Sequence, residues 1–160
     1  MSEARRTGVI SLKTLQRYGY IPPAERLRRG PVAIFECIEE IPCNICVDAC
    51  PLKAVSMSSI VSMPVIDFSR CIGCAVCVGK CPGQAVFVVD LSKEDSEYVT
   101  LPYEMSPPPK KGAVVKLLNR EGVVVGRGEV VKFFIDNGTY VVTVRVPKGL
   151  ALNVRAIRVS

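Results

Sequence analysis

Histidine and tryptophan are both missing from this 160-residue chain. Without histidine there is no imidazole base, no Ser-His-Asp triad and no Rieske-type ligation. Aromatic residues are sparse at 6%, and no RNA- or DNA-binding module is recognisable despite a net charge of +6, so no nucleic-acid partner is expected. No apolar run approaches the length of a membrane-spanning helix, and the N-terminus lacks a signal-peptide core. The chain is therefore expected to be soluble and cytoplasmic, with no membrane span. Gly122, Gly126 and Gly128 follow the order G-x3-G-x-G with no Lys-Ser/Thr behind them, so they are read as turns between strands rather than a phosphate loop. Tyr18, Tyr20, Tyr98, Tyr103 and Tyr140 are read as packing residues. No residue is assigned a catalytic role.

Cysteine, by contrast, occurs eight times. Residues 71–82 read CIGCAVCVGKCP, or C-x2-C-x2-C-x3-C-P, an iron-sulfur ligand signature. A cubane cluster needs four thiolates converging tetrahedrally, and two-residue gaps let one tight loop deliver three of them. The fourth must come from elsewhere. Residues 37–51, CIEEIPCNICVDACP, supply a second run, with Cys37, Cys43, Cys46 and Cys50 before Pro51. Shifted by 31 residues, Cys43/Cys74, Cys46/Cys77, Val47/Val78, Cys50/Cys81, Pro51/Pro82, Ala54/Ala85 and Val55/Val86 coincide, which is an internal repeat. Structural zinc pairs two C-x2-C hooks and does not call for three close thiols with C-x3-C-P twice. Disulfides are disfavoured in a cytosolic chain with this spacing. Radical-SAM chemistry would need C-x3-C-x2-C, and Lys53 or Gln84 stands where its last Cys belongs.

Each half of the repeat reads as strand, loop, helix, strand. The expected elements are a strand near Val32 to Glu36, a helix near Asn44 to Cys50, a short hairpin to Val65–Asp67, a helix near Ala75 to Lys80, and a strand at Ala85 to Val89. Together they form a βαββαβ unit. Residues 37–90 closely resemble the two-cluster 4Fe-4S ferredoxins. That resemblance implies two 4Fe-4S clusters, one held by Cys37, Cys43, Cys46 and Cys81 and the other by Cys71, Cys74, Cys77 and Cys50. The chain departs from the family at its first pair, since five residues separate Cys37 from Cys43; a longer loop still reaches, because closure depends weakly on length. If Cys37 were instead a buried inert thiol, the first site would hold a 3Fe cluster. Pro42 occupies the slot of Gly73 and cannot donate an amide, so the two clusters are expected to differ in potential.

The expected organisation is α+β: a basic N-terminal arm with short helices (1–30), a ferredoxin-like two-cluster domain (31–99), a Pro-rich linker (100–111) and a small β-barrel-like domain, SH3-like or related (112–160). Ser11 starts one arm helix and Gly30 ends another, while Met1 to Thr7 reads either as part of the arm or as a disordered tail. Val123 to Val125 are expected to be buried. Charge is uneven. Residues 1–30 hold seven Lys or Arg and two acids, 31–99 four and nine, 100–160 ten and four. Basic flanks around an acidic centre are read as docking an acidic protein partner.

A wider resemblance rests on GPVAIFECIEEIPCNICVDACP, CPGQAVFVVD, LPYE and VPKGLALNVRAIRV. These stretches are similar to the ferredoxin-like small subunits of FAD-dependent dehydrogenases of the proline, sarcosine and opine type. The resemblance implies FAD-containing dehydrogenase subunits as partners, often with a small 2Fe-2S subunit, and no flavin on this chain. The implied role is a single-electron relay. A standalone ferredoxin and a structural metal protein are the alternatives.

Overall fold

Runs of β-branched residues set the architecture. Val32–Phe35 (β1) is buried at every position, which a strand achieves only when both of its faces are covered. The computed structural model describes residues 3–159; Met1, Ser2 and Ser160 lie outside the described residues, and with them the first two residues of the expected tail and the last of the expected β-domain. Three short helices come first, α1 (Glu3–Thr7), α2 (Leu12–Arg17) and α3 (Ala24–Arg28). The Ser11 hydroxyl accepts the Thr14 N–H at 3.2 Å and so caps α2 as its sequence signal implies. Glu3–Thr7 is helical, so a disordered tail does not describe those residues.

After β1 the order is α4 (Ile45–Ala49), β2 (Val55–Ser56), β3 (Val65–Ile66), α5 (Val76–Lys80) and β4 (Val86–Asp90). β1 pairs antiparallel with β4, and β2 with β3. Beyond them run β5 (Glu97–Tyr103), β6 (Val114–Leu118), β7 (Val124–Asp136), β8 (Thr139–Val146) and β9 (Ala156–Arg158). The result is a mixed α/β structure with few helices and one large antiparallel sheet, ordered β1-β4-β5-β8-β7-β6-β9.

Side-chain alternation divides the core in two. Val32, Ile34, Phe87, Val89, Val99, Leu101, Val142 and Val144 meet on one face with Leu27 and the C-terminal segment. Ala33, Phe35, Val86, Val88 and Val141 meet on the other, with Val78 of α5 and most of the cysteines packed against them.

Four expectations change. The expected linker from residue 100 begins as strand, because β5 continues to Tyr103 with Leu101, Pro102 and Tyr103 buried. Pro102 is tolerated there because β4 pairs with β5 only as far as Thr100, leaving the missing N–H on an unpaired side. The C-terminal strands do not form a sheet of their own: β8 pairs with β5, joining them to β4 and β1. Val123 and Val124 are exposed and Val125 only half-buried, since they follow the β6–β7 turn beyond the reach of β8. Gly126 and Gly128 are not turn residues but lie inside β7. A Cβ on Gly128 would meet the Arg145 carbonyl oxygen at 2.6 Å, so close backbone approach is what requires glycine here.

Candidate metal centres

The two C-P turns are built alike. Pro51 and Pro82 push the preceding residue out of helical geometry, so α4 ends at Cys50 (φ −77, ψ 111) and α5 at Cys81 (φ −70, ψ 112). Lys53 (φ 52) and Gln84 (φ 50) then turn the chain left-handed. That brings the Ala54 N–H to Cys50 Sγ at 3.3 Å and the Ala85 N–H to Cys81 Sγ at 3.4 Å. A third backbone donor, the Ala33 N–H, reaches Cys71 Sγ at 3.4 Å. Such bonds stabilise charge on sulfur.

The eight thiols fall into two groups around two small, mostly apolar cavities. Cys50, Cys71, Cys74 and Cys77 line one, together with Ala33, Leu52 and Ile72. Cys37, Cys43, Cys46 and Cys81 line the other, together with Ile41, Ile45 and Pro64. Each cavity thus takes three thiols from one run and one from the other. Phe35, fully buried on β1, is common to both walls.

Electrostatics divide the thiols the same way. Burial pushes Cys77 up to about 12, with Cys71, Cys74 and Cys50 adding to the shift. Burial likewise pushes Cys46 up to about 11, with Cys81, Cys43 and Cys37 contributing. Cys37 is raised by burial first and by Cys81 next. A crowded set of this kind resists ionising by itself, and thiolates gathered there call for cationic partners.

Among the described residues, no three Cys, Asp or Glu side chains form a group that could hold a single metal ion. Thiolates about 2.3 Å from one zinc would crowd together around a point; these line a cavity, which suits a multi-atom cluster. The all-thiol donor set and the backbone N–H groups aimed at sulfur fit an iron-sulfur group.

The arm holds the first cysteine of each run. The Tyr20 hydroxyl donates to the Cys37 carbonyl at 3.1 Å. The Arg26 guanidinium donates to the carbonyls of Cys71 (2.6 Å), Phe68 (2.8 Å), Pro31 (2.9 Å) and Gly30 (3.1 Å). Gly73, at φ +66, packs so closely on Pro31 that a Cβ would sit 2.6 Å from its carbonyl carbon. Pro42, at the corresponding place of the other run, is exposed.

Sequence reasoning missed the buried ion network beside Cys37. Glu36 accepts from Arg120 and from Arg155 at 2.5 Å each. Arg155 also lies 4.8 Å from the centre of the Phe87 ring and donates to the Ala151 carbonyl at 3.0 Å. Charged residues interrupting apolar strand runs at both Glu36 and Arg155 were the available signal.

Residues 36–86, which contain all eight cysteines, match the family model of the 4Fe-4S dicluster domain. No match was found among curated proteins or solved structures. The domain match and the eight cysteines support a 4Fe-4S ferredoxin whose chemistry is iron-sulfur electron transfer. No helix among the described residues is long and apolar enough to cross a membrane.

Proposed function

We propose that the chain holds two 4Fe-4S clusters, the first on Cys37, Cys43, Cys46 and Cys81 and the second on Cys71, Cys74, Cys77 and Cys50, and that it relays single electrons as a subunit of an FAD-dependent amine or amino-acid dehydrogenase complex. The observation that carries the cluster assignment is the division of eight thiols, four and four, into two cavities that exchange one cysteine each. A cubane bound in each would accept and release one electron with little rearrangement. The chain's own residues do the rest. Ala33, Ala54 and Ala85 direct N–H groups at sulfur, while Phe35, Val55 and Val86 exclude water from the inner walls.

The relay role is supported by the rims. Ile41 and Ile45 beside one cavity, and Leu52 and Ile72 beside the other, are exposed apolar residues next to the candidate centres. Side chains of this kind suit docking of an electron-donating protein close to a cluster. The flavoprotein partner rests on the wider sequence resemblance, and a small 2Fe-2S subunit completes the proposed assembly. The basic arm and basic C-terminal region supply the charge that an acidic partner would meet.

The test is anaerobic affinity capture of the full chain from its native cell, with flavin analysis of what accompanies it. FAD-bearing subunits that reduce this chain when an amine or amino acid is added are the expected result. A chain that isolates alone and exchanges electrons with unrelated enzymes contradicts the subunit role and leaves a standalone ferredoxin.

A further inference from the structure

β7 is covered unevenly. It pairs with β6 from Val124 to Glu129 and with β8 only from Glu129 onward, so Glu129 and Val130 are bonded on both sides; the Val130 N–H donates to the Ala113 carbonyl and the Val130 carbonyl accepts from the Gly112 N–H. A bulge between Val130 and Lys132 follows. From Lys132 to Asp136 the strand keeps only β8, and among the described residues no other segment pairs with it. On this free edge Phe133, Phe134 and Ile135 are 37%, 45% and 57% exposed. An edge strand carrying three consecutive large apolar residues is a template for strand addition.

The backbone phase is fixed by the hairpin. Asp136 and Thr139 close the Asn137-Gly138 turn, whose residues have φ 48 and 89, so they form a hydrogen-bonded pair. Alternation along an antiparallel ladder then turns the N–H and C=O of Phe133 and Ile135 outward and those of Phe134 inward to β8.

We propose that this edge pairs with the same edge of a second copy of the chain, antiparallel, about a twofold axis at Phe134. In that register Phe133 of one copy exchanges both backbone bonds with Ile135 of the other. Phe134 faces its own counterpart, and Lys132 stands opposite Asp136. The outward-facing amides, the apolar residues and the opposite charges all match in one register, as an isologous contact demands. The two sheets become one. Lys80, already 2.8 Å from Asp136, adds a second cation beside that pair.

Sedimentation velocity on the full chain over a range of concentrations, with hydrogen exchange at the same concentrations, tests the pairing. The expected result is a concentration-dependent dimer in which the Phe133 and Ile135 amides gain protection as dimer forms. Phe134→Lys, at an exposed position, places like charges across the axis and is expected to abolish the dimer while thermal melting stays cooperative. Phe134→Cys is expected to cross-link with itself under mild oxidation, whereas Val123→Cys, exposed elsewhere, does not. A chain that stays monomeric throughout overturns the proposal, as does a dimer that survives Phe134→Lys or leaves those two amides unprotected. Protection that appears only with a different protein bound overturns the second-copy assignment in favour of that partner.

Discussion

Cys37 and Cys81, one from each cysteine run, share a cavity wall, and the charge of Cys81 helps hold the Cys37 thiol above its ordinary value. The repeat is thus interlocked. Each C-P turn sends its last sulfur across to the other half, because proline ends the helix and swings the preceding cysteine into extended geometry.

Crossed ligation has a direct genetic signature. Cys81→Ser is expected to disturb the centre on Cys37, Cys43 and Cys46 and spare the one on Cys71, Cys74 and Cys77; Cys50→Ser is expected to do the reverse. Electron paramagnetic resonance of the reduced variants distinguishes the two, with about half of the signal changed in each case. Loss confined to the mutated run contradicts the crossing.

The two centres are expected to titrate separately. Backbone N–H groups reach Cys50 and Cys71 in one set and Cys81 and Cys37 in the other, the last from Glu39, but Pro42 has no N–H to offer where the other run has Gly73. Donors to sulfur favour the more negative, reduced state, so the Cys50, Cys71, Cys74, Cys77 centre is expected at the higher potential. One charge-assisted bond of about 1.5 kcal/mol corresponds to a separation on the order of 60 mV. A redox titration giving one midpoint for both centres removes this account.

Arg26 ties four carbonyls, including that of Cys71, to the arm. Arg26→Gln is expected to destabilise the fold by about 2–3 kcal/mol in denaturant unfolding, the scale of hydrogen bonds from a charged donor. Oxygen exposure of the variant is expected to bleach the Cys71-containing centre first. Equal bleaching of both centres would assign Arg26 a purely global role.

Among the described residues, Glu36 is the only acid paired with Arg155 in the buried network, and one Arg155 guanidinium nitrogen has no partner. Glu36→Gln is expected to cost about 3–5 kcal/mol by stranding buried positive charge. Burial pushes Arg155 down to about 10 from 12.5, with Glu36 opposing the shift. Between those values the unfolded chain binds more protons at this residue than the folded chain does, so rising pH favours the folded state there. Below about 10 both states hold the proton and the penalty is fully present. Glu36 holds the Arg155 value up, so in Glu36→Gln the folded chain gives up that proton at lower pH than the wild type does. Part of the Glu36→Gln loss should therefore be recovered as pH rises toward about 10, and a loss that stays constant through that window contradicts the charge argument.

The cluster region was legible because cysteine spacing and the repeat report geometry directly. Ser11 and the C-P runs are local signals, and local signals transfer. The continuity of the sheet was not legible: β5 looks like the approach to a proline-rich linker, and only its pairing with β8 shows that Leu101 and Tyr103 belong to the core. Val123 and Val124 failed for a related reason, since a strand pattern does not say whether a neighbouring element reaches far enough to cover it. Gly128 was misread because close backbone approach leaves the same letter in the sequence as a turn. The arm's grip through Tyr20 and Arg26 depends on contacts between segments far apart in sequence, which no periodicity encodes.

The most direct measurement is the iron and acid-labile sulfide content of the full chain purified without oxygen. A brown protein with about eight of each per chain, reduced in two separate steps, is the predicted result. A colourless protein that carries zinc and no sulfide would contradict the account.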